Sequence, residues 1–137
     1  MIKSRNIDLD KAFVNKSFNI IYPSINPKTA TVTARTANAT LTVNDFDEIT
    51  TNAGDGDSQI LTLPAPMEVE DMGLRVVVLA AYTIVLDPLT YKIYLNGSGV
   101  ADKTLTIGAV VGNFLELYSD GTDYIVTNYS GVVTKET

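Results

Sequence analysis

Short stretches of alternating hydrophobic and polar residues, separated by turn residues, make up most of the chain. The clearest case is residues 114–126. Asp120-Gly121 is a strong signal for a two-residue hairpin turn, because a type I′ turn needs positive φ at both central residues. Placing this pair in the turn sets Leu117 opposite Tyr124 on an apolar face. The pattern predicts a β-hairpin whose apolar face must be covered by the rest of the chain, since a lone hairpin is only marginally stable.

The same kind of pattern recurs from Thr29 onward, and it predicts about ten short strands. Thr, Val, Ile and Tyr dominate these stretches, and Gly, Pro, Asn and Asp separate them. No segment has the periodicity of a long amphipathic helix. The sequence therefore predicts an all-β fold, an antiparallel β-sandwich or a jelly-roll-like domain, with a barrel as the open alternative.

One predicted strand, within residues 73–80, is apolar on both faces. A strand of this kind is either covered on both sides within its own domain or lies at a contact between subunits. We keep both interpretations, and for the second we predict an oligomer interface formed by Val76, Val77, Val78 and Leu79.

Residues 1–28 differ from the rest in charge and in pattern. They carry five basic and two acidic groups, a net charge of +3, whereas residues 29–137 carry five basic and fourteen acidic groups, a net charge of −9. Their apolar residues are scattered, and Pro23 and Pro27 break any regular element. We interpret residues 1–28 as an extended N-terminal arm or linker that docks on a capsid or another subunit, and residues 29–137 as the β domain. The alternative is a solvated tail.

Composition excludes several functions. The chain has neither His nor Cys, so Ser-His-Asp triads, Cys-His pairs and the usual zinc sites cannot form. An acidic body repels nucleic acid. The longest nearly apolar run, Val76–Leu86, is too short to span a bilayer, and no signal peptide is expected. We predict that the protein is not an enzyme, needs no cofactor or metal, and neither binds nucleic acid nor inserts into a membrane.

Carboxylates and tyrosines are the remaining candidates for chemistry. Asp55 and Asp57 could offer oxygens to Ca²⁺, but the loop lacks the distal bidentate Glu of an EF-hand, and we favour a solvated turn. Residues 68–71 contain three acidic groups that fit a solubilising connection. No pair of carboxylates stands out as a glycosidase pair. Exposed tyrosines could stack on sugars, whereas half-buried strand positions explain most of them.

Several short motifs occur in a fixed order within residues 40–128. These are Leu61-Thr-Leu63-Pro64, Gly73-Leu-Arg-Val-Val-Val78, Val85-Leu-Asp-Pro88, Asn96-Gly97, and Leu115 to Thr122 followed by Tyr124 and Val126. This order resembles the β domains of tailed-bacteriophage virion proteins: head fibres, capsid decoration proteins and tail-fibre tips. Tyr124 stands where such domains often carry Trp.

The resemblance implies a virion structural protein that is commonly a homotrimer. The chain has no shaft, which favours a capsid decoration or head-fibre protein at the capsid surface of the virion, assembled in the host cytoplasm. Its expected partner is the capsid protein, and the predicted docking residues are Lys3, Arg5, Ile7, Leu9 and Phe13. The alternative is a tail-fibre tip domain that binds a receptor or a host surface glycan through loops such as 52–58 and 96–99.

Overall fold

Eleven short strands and two 3₁₀ helices make up residues Thr31–Thr137, which are the residues that the computed structural model describes. The 3₁₀ helices cover Val43–Asp45 and Pro66–Val69. The strands are β1 (Val32–Ala34), β2 (Ala39–Thr40), β3 (Ile49–Thr51), β4 (Gln59–Thr62), β5 (Gly73–Val77), β6 (Ile84–Asp87), β7 (Ile93–Tyr94), β8 (Leu105–Ile107), β9 (Phe114–Ser119), β10 (Tyr124–Ser130) and β11 (Val133–Lys135). The predicted all-β fold is confirmed for this part of the chain.

The strands form two sheets, and the chain passes from one to the other after almost every strand. The six-stranded sheet has the order β1-β3-β5-β9-β10-β7, and the five-stranded sheet has the order β11-β8-β6-β4-β2. Neighbours such as β3 and β5 are therefore separated in sequence by a strand of the other sheet, and they run parallel.

The prediction that the strands run antiparallel needs correction. Five of the nine strand pairings among the described residues are parallel and four are antiparallel. Side chains alternate with a period of two in both arrangements, so the hydrophobic pattern is the same for either. Direction depends on each connection: β3 and β5 run parallel after one crossing to the other sheet and back, and so do β4 and β6, whereas β6 and β8 run antiparallel after such a crossing.

The inward faces of the two sheets share one hydrophobic core. β5 and β9 contribute alternate residues from the six-stranded sheet, and β6 and β8 contribute alternate residues from the five-stranded sheet. The connections add side chains that close the ends, and one of these, Phe46, lies with its ring centroid 6.2 Å from that of Tyr124. The buried hydrophobic residues are Leu41, Phe46, Leu61, Leu63, Val69, Leu74, Val76, Val78, Ile84, Leu86, Ile93, Leu105, Ile107, Leu115, Leu117 and Tyr124.

The hairpin of β9 and β10 has the predicted apolar face but a different turn. Leu117 lies opposite Val126 rather than Tyr124, and four residues, 120–123, connect the strands instead of two. Gly121 has φ of +90°, whereas Asp120 does not adopt positive φ. Instead, Asp120 Oδ1 accepts hydrogen bonds at 2.8 Å from the backbone N–H groups of Thr122 and Asp123. The register shift is two residues, which keeps each of these side chains on its predicted face.

Leu61 and its neighbour Ile60 provide a matched test of the core. Leu61 is completely buried, and Ile60 is 43% exposed on the opposite face of β4. We expect Leu61→Ala to lower the free energy of unfolding by about 2–5 kcal/mol, because it opens a cavity between the sheets. Ile60→Ala should cost less than about 1 kcal/mol. Urea denaturation measures both, and equal losses would contradict the assignment of the two faces.

Candidate functional site

The predicted capsid-docking residues, Lys3, Arg5, Ile7, Leu9 and Phe13, lie outside the described residues. The candidate functional surfaces and side-chain clusters lie within residues 31–137.

The structure divides the four predicted interface residues between the core and the surface. Val76 and Val78 are completely buried among the side chains of the core, so they have no surface to offer to a second subunit. Val77 is half-buried on the outward face of β5, and Leu79 is 47% exposed just beyond the end of that strand. The prediction is therefore corrected for Val76 and Val78, and Val77 and Leu79 remain available for a contact.

Asn52 is buried and holds the connection that carries Leu79. Its Oδ1 accepts hydrogen bonds from the N–H groups of Leu79 and Ala80 at 2.7 and 2.9 Å. Its Nδ2 donates to the carbonyls of Ala80 and Tyr82 at 3.0 and 3.2 Å. Sequence reasoning placed Asn52 in a candidate binding loop, whereas its side chain organises the neighbouring connection and is fully inaccessible.

Two valines are exposed at the tip of the connection between β8 and β9. The N–H of Asn113 donates to the carbonyl of Val110 at 2.9 Å and closes a four-residue turn, in which Gly112 has φ of +100°. Val110 is 66% exposed and Val111 is 57% exposed. Val132, on the adjacent connection, is also exposed, and its carbonyl accepts a hydrogen bond from Gly108. Turn tips are usually polar, so this apolar tip is a candidate contact surface.

Acidic groups meet beside the hairpin loop at residues 120–123. Glu70 packs against Gly121, where a Cβ atom would come within 2.7 Å of the Glu70 carboxyl carbon. Gly121 therefore has two reasons to be glycine, this close approach and its positive φ. The Tyr118 hydroxyl donates to Asp71 Oδ1 at 2.7 Å, and this bond is the main reason that the pKa of Tyr118 is raised. The bonds from Asp123 and Thr122 lower the pKa of Asp120.

The Asp55 and Asp57 carboxylates are used within their own loop. Asp55 Oδ1 accepts from the N–H of Gly56 at 2.8 Å, Asp55 Oδ2 accepts from the side chain of Gln59, and Asp57 Oδ1 accepts from the N–H of Ser58 at 2.7 Å. These contacts are those of a hydrogen-bonded turn. Within residues 31–137, no group of three or more acidic side chains lies close enough together to hold a metal ion.

Two surface features could receive a small ligand. An open concavity of about 420 Å³ lies at the edge strand β2 and is lined by Asn38, Ala39, Thr40, Ile60, Thr62 and Asp87. Elsewhere, Asn96 Nδ2 donates to the hydroxyl of Tyr129 at 3.2 Å, which places a predicted binding loop beside a tyrosine that is 36% exposed. Among the described residues, no helix is long and apolar enough to cross a membrane.

No protein-family model matches the chain, and no curated protein matches it. What can be said of its function therefore rests on the motifs quoted above and on the surfaces just described.

Asn52→Ala tests whether this residue organises the surface around Leu79. We expect a loss of about 2–4 kcal/mol in the free energy of unfolding, because the substitution removes the partner of four part-buried backbone groups of Leu79, Ala80 and Tyr82. Asn44→Ala, at an exposed position, is the matched control and should change stability by less than about 0.5 kcal/mol. Chemical denaturation gives both values, and a neutral Asn52 variant would contradict this role.

Tyr124 should make stability depend on alkaline pH. Its ring is buried, and its hydroxyl donates to the Pro64 carbonyl at 2.6 Å. Burial, followed by the nearby Glu68 and Tyr91, raises the pKa of Tyr124. Below the unfolded-state pKa of about 10, the neutral hydroxyl contributes its full stabilisation to the folded state. As pH rises above about 10, the unfolded state loses this proton more readily than the folded state, and the contribution is lost.

We expect Tyr124→Phe to be less stable than the unmodified protein by about 1–3 kcal/mol at pH 8, because the Pro64 carbonyl loses its partner. The difference should shrink as pH rises above about 10. Urea midpoints at about pH 8 and about pH 11 measure this, and a difference that is the same at both pH values would rule out the proposed titration.

Proposed function

We propose that the protein is a virion structural protein of a tailed bacteriophage, a capsid decoration or head-fibre protein. Residues 1–28 form the capsid-binding arm, with Lys3, Arg5, Ile7, Leu9 and Phe13 as docking residues, and residues 29–137 form the β domain at the capsid surface. The proposed partners are the capsid protein and further copies of the same chain, as a homotrimer.

The observation that carries this proposal is the position of the quoted motifs in the domain. Leu61 and Leu63 supply core side chains beside Pro64, whose carbonyl receives the Tyr124 hydroxyl. Residues 73–78 and 115–126 form adjacent strands in the middle of the six-stranded sheet. These three of the motifs that carry the resemblance therefore lie at the structural centre of the domain, whereas Asn96-Gly97 is an exposed turn.

The charge pattern supports different roles for the capsid-binding arm and the β domain. The domain carries excess acidic charge, and acidic groups such as Asp55, Asp57 and Glu70 occupy turns or lie beside the hairpin loop. The net charge of +3 on residues 1–28 makes that segment suited to an acidic surface, which would repel the domain itself.

A tail-fibre tip that binds a receptor or a surface glycan is the second candidate. It is favoured by the contact between Asn96 and Tyr129, because an exposed tyrosine beside an amide offers both a stacking face and hydrogen bonds. Binding of the full-length chain to a glycan array, abolished by Tyr129→Ala, would favour this candidate over capsid decoration.

Charge reversal in the arm tests the capsid-binding role. We expect the full-length Lys3→Glu/Arg5→Glu variant to lose most of its co-sedimentation with capsids of the phage that encodes it, because attraction to an acidic shell becomes repulsion. The matched control is Lys92→Glu/Lys103→Glu, which changes the net charge equally within the β domain and should leave binding nearly unchanged. Equal binding by both variants would contradict docking through the arm, and no binding by the unmodified chain would contradict the proposed function.

A further inference from the structure

The outward faces of the two sheets differ sharply in composition. On the five-stranded sheet, strand pairing places Ile60, Val85, Thr106 and Thr134 in one row and Thr40, Thr62 and Asp87 in the next. Five of these seven side chains are polar, and four of the five are threonines. This face is typical of a sheet surface in contact with water.

The outward face of the six-stranded sheet carries more apolar and aromatic side chains, and its rows also contain the polar residues Thr51, Asn128 and Ser130. One row pairs Val77 with Phe114, and another pairs Tyr118 with Ile125 and Ile125 with Tyr94. A third row begins with Val32 and Ile49, and Val32 is 59% exposed. The apolar and aromatic members of this face are Val32, Ile49, Val77, Tyr94, Phe114, Tyr118 and Ile125.

A single ion pair lies in the middle of this face. Arg75 continues the row from Ile49, and its guanidinium contacts the carboxylate of Glu116 on the neighbouring strand. The guanidinium also lies 5.8 Å from the centre of the Phe114 ring. The Arg75 side chain is 50% exposed and that of Glu116 is 26% exposed, so both charges remain accessible from outside the sheet.

We propose that the outward face of the six-stranded sheet is the surface through which copies of this chain associate. The occupant of the face is a second copy, and the argument is charge. The described residues carry five basic and fourteen acidic groups, so copies of the chain repel each other over most of their surface. The six-stranded face is different, because the two charges at its centre, Arg75 and Glu116, sum to zero. Each of them can pair with the opposite charge on the same face of a second copy.

Self-complementarity determines how the two copies meet. When two such faces approach, Arg75 of each copy can lie against Glu116 of the other, and the surrounding apolar side chains exclude water from both contacts. A basic partner would instead be drawn to the acidic groups beside residues 120–123. Such a contact is isologous and closes with two copies, so it joins pairs of chains and is distinct from the heterologous contacts of the proposed homotrimer. The inference rests on the proposed function, because copies of a virion protein assemble together, and it is tested separately from capsid binding.

The test measures the molar mass of the full-length chain in solution by light scattering over a range of concentrations. We expect a multiple of 14.8 kDa for the unmodified chain. Arg75→Glu and Glu116→Arg should each weaken self-association at least about tenfold, because like charges then face each other across the interface. Val85→Glu, on the threonine-rich face, is the control and should associate like the unmodified chain.

Mixing the two single variants gives the decisive result. A 1:1 mixture of Arg75→Glu and Glu116→Arg places opposite charges together again at both contacts. We therefore expect the mixture to form an oligomer of both variants under conditions in which each variant alone does not associate. The double variant Arg75→Glu/Glu116→Arg restores the pair within each chain as well as between chains, and it should associate like the unmodified protein. It also separates loss of association from loss of folding.

Three results would overturn the inference. The first is an unmodified chain that is monomeric at about 100 µM, because even a micromolar Kd gives association at that concentration. The others are unchanged association of both single variants and a mixture of them that stays monomeric. Capsid co-sedimentation distinguishes this failure from failure of the proposed function. A monomer that still binds capsids would contradict only the proposed contact between copies. An oligomer that depends on Arg75 and Glu116 but does not bind capsids would contradict only the proposed capsid role.

Discussion

The structure depends on one core that both sheets must build together. Side chains from β5 and β9 on one side and from β6 and β8 on the other fill the same space, and neither sheet has a second layer of its own among the described residues. Some of the crossings between the sheets also deliver a side chain to this core, as those with Phe46 and Leu63 do. Burial of these groups stabilises the crossings, which contain few regular hydrogen bonds, by roughly 1.5–3 kcal/mol for each large side chain.

Buried polar side chains hydrogen-bond to the backbone of two of the connections. Asn52 provides four hydrogen bonds to one connection, and the buried Ser119 hydroxyl donates to the Pro66 carbonyl at 2.7 Å. These side chains replace the strand partners that the backbone of a connection lacks. The connection that carries Leu79 is therefore held by side-chain hydrogen bonds of a buried residue.

Sequence reasoning recovered features that depend on local pattern and missed those that depend on the path of the chain. The alternation around Leu117 was enough to predict which face of the hairpin is buried, because a shift of two residues changes the partner but not the face. The same alternation in residues 73–77 could not separate a core from a subunit contact, since Val76 and Val77 differ only in the side of the sheet they occupy. Parallel pairing and the role of Asn52 arise from contacts between distant segments, for which the local sequence holds no signal.

The alternating path between the sheets has a consequence for how the chain folds. Within the six-stranded sheet, Val32 pairs with Ile49 and Ile49 with Arg75, so each parallel contact closes a segment of about 17 to 26 residues. Only the β9–β10 hairpin offers a short closure in that sheet. Proteins rich in such distant pairings fold over milliseconds to seconds, because the entropy of closing each segment is lost before the core can compensate. The β9–β10 hairpin is thus the natural local starting point, onto which β5 and then β3 can add.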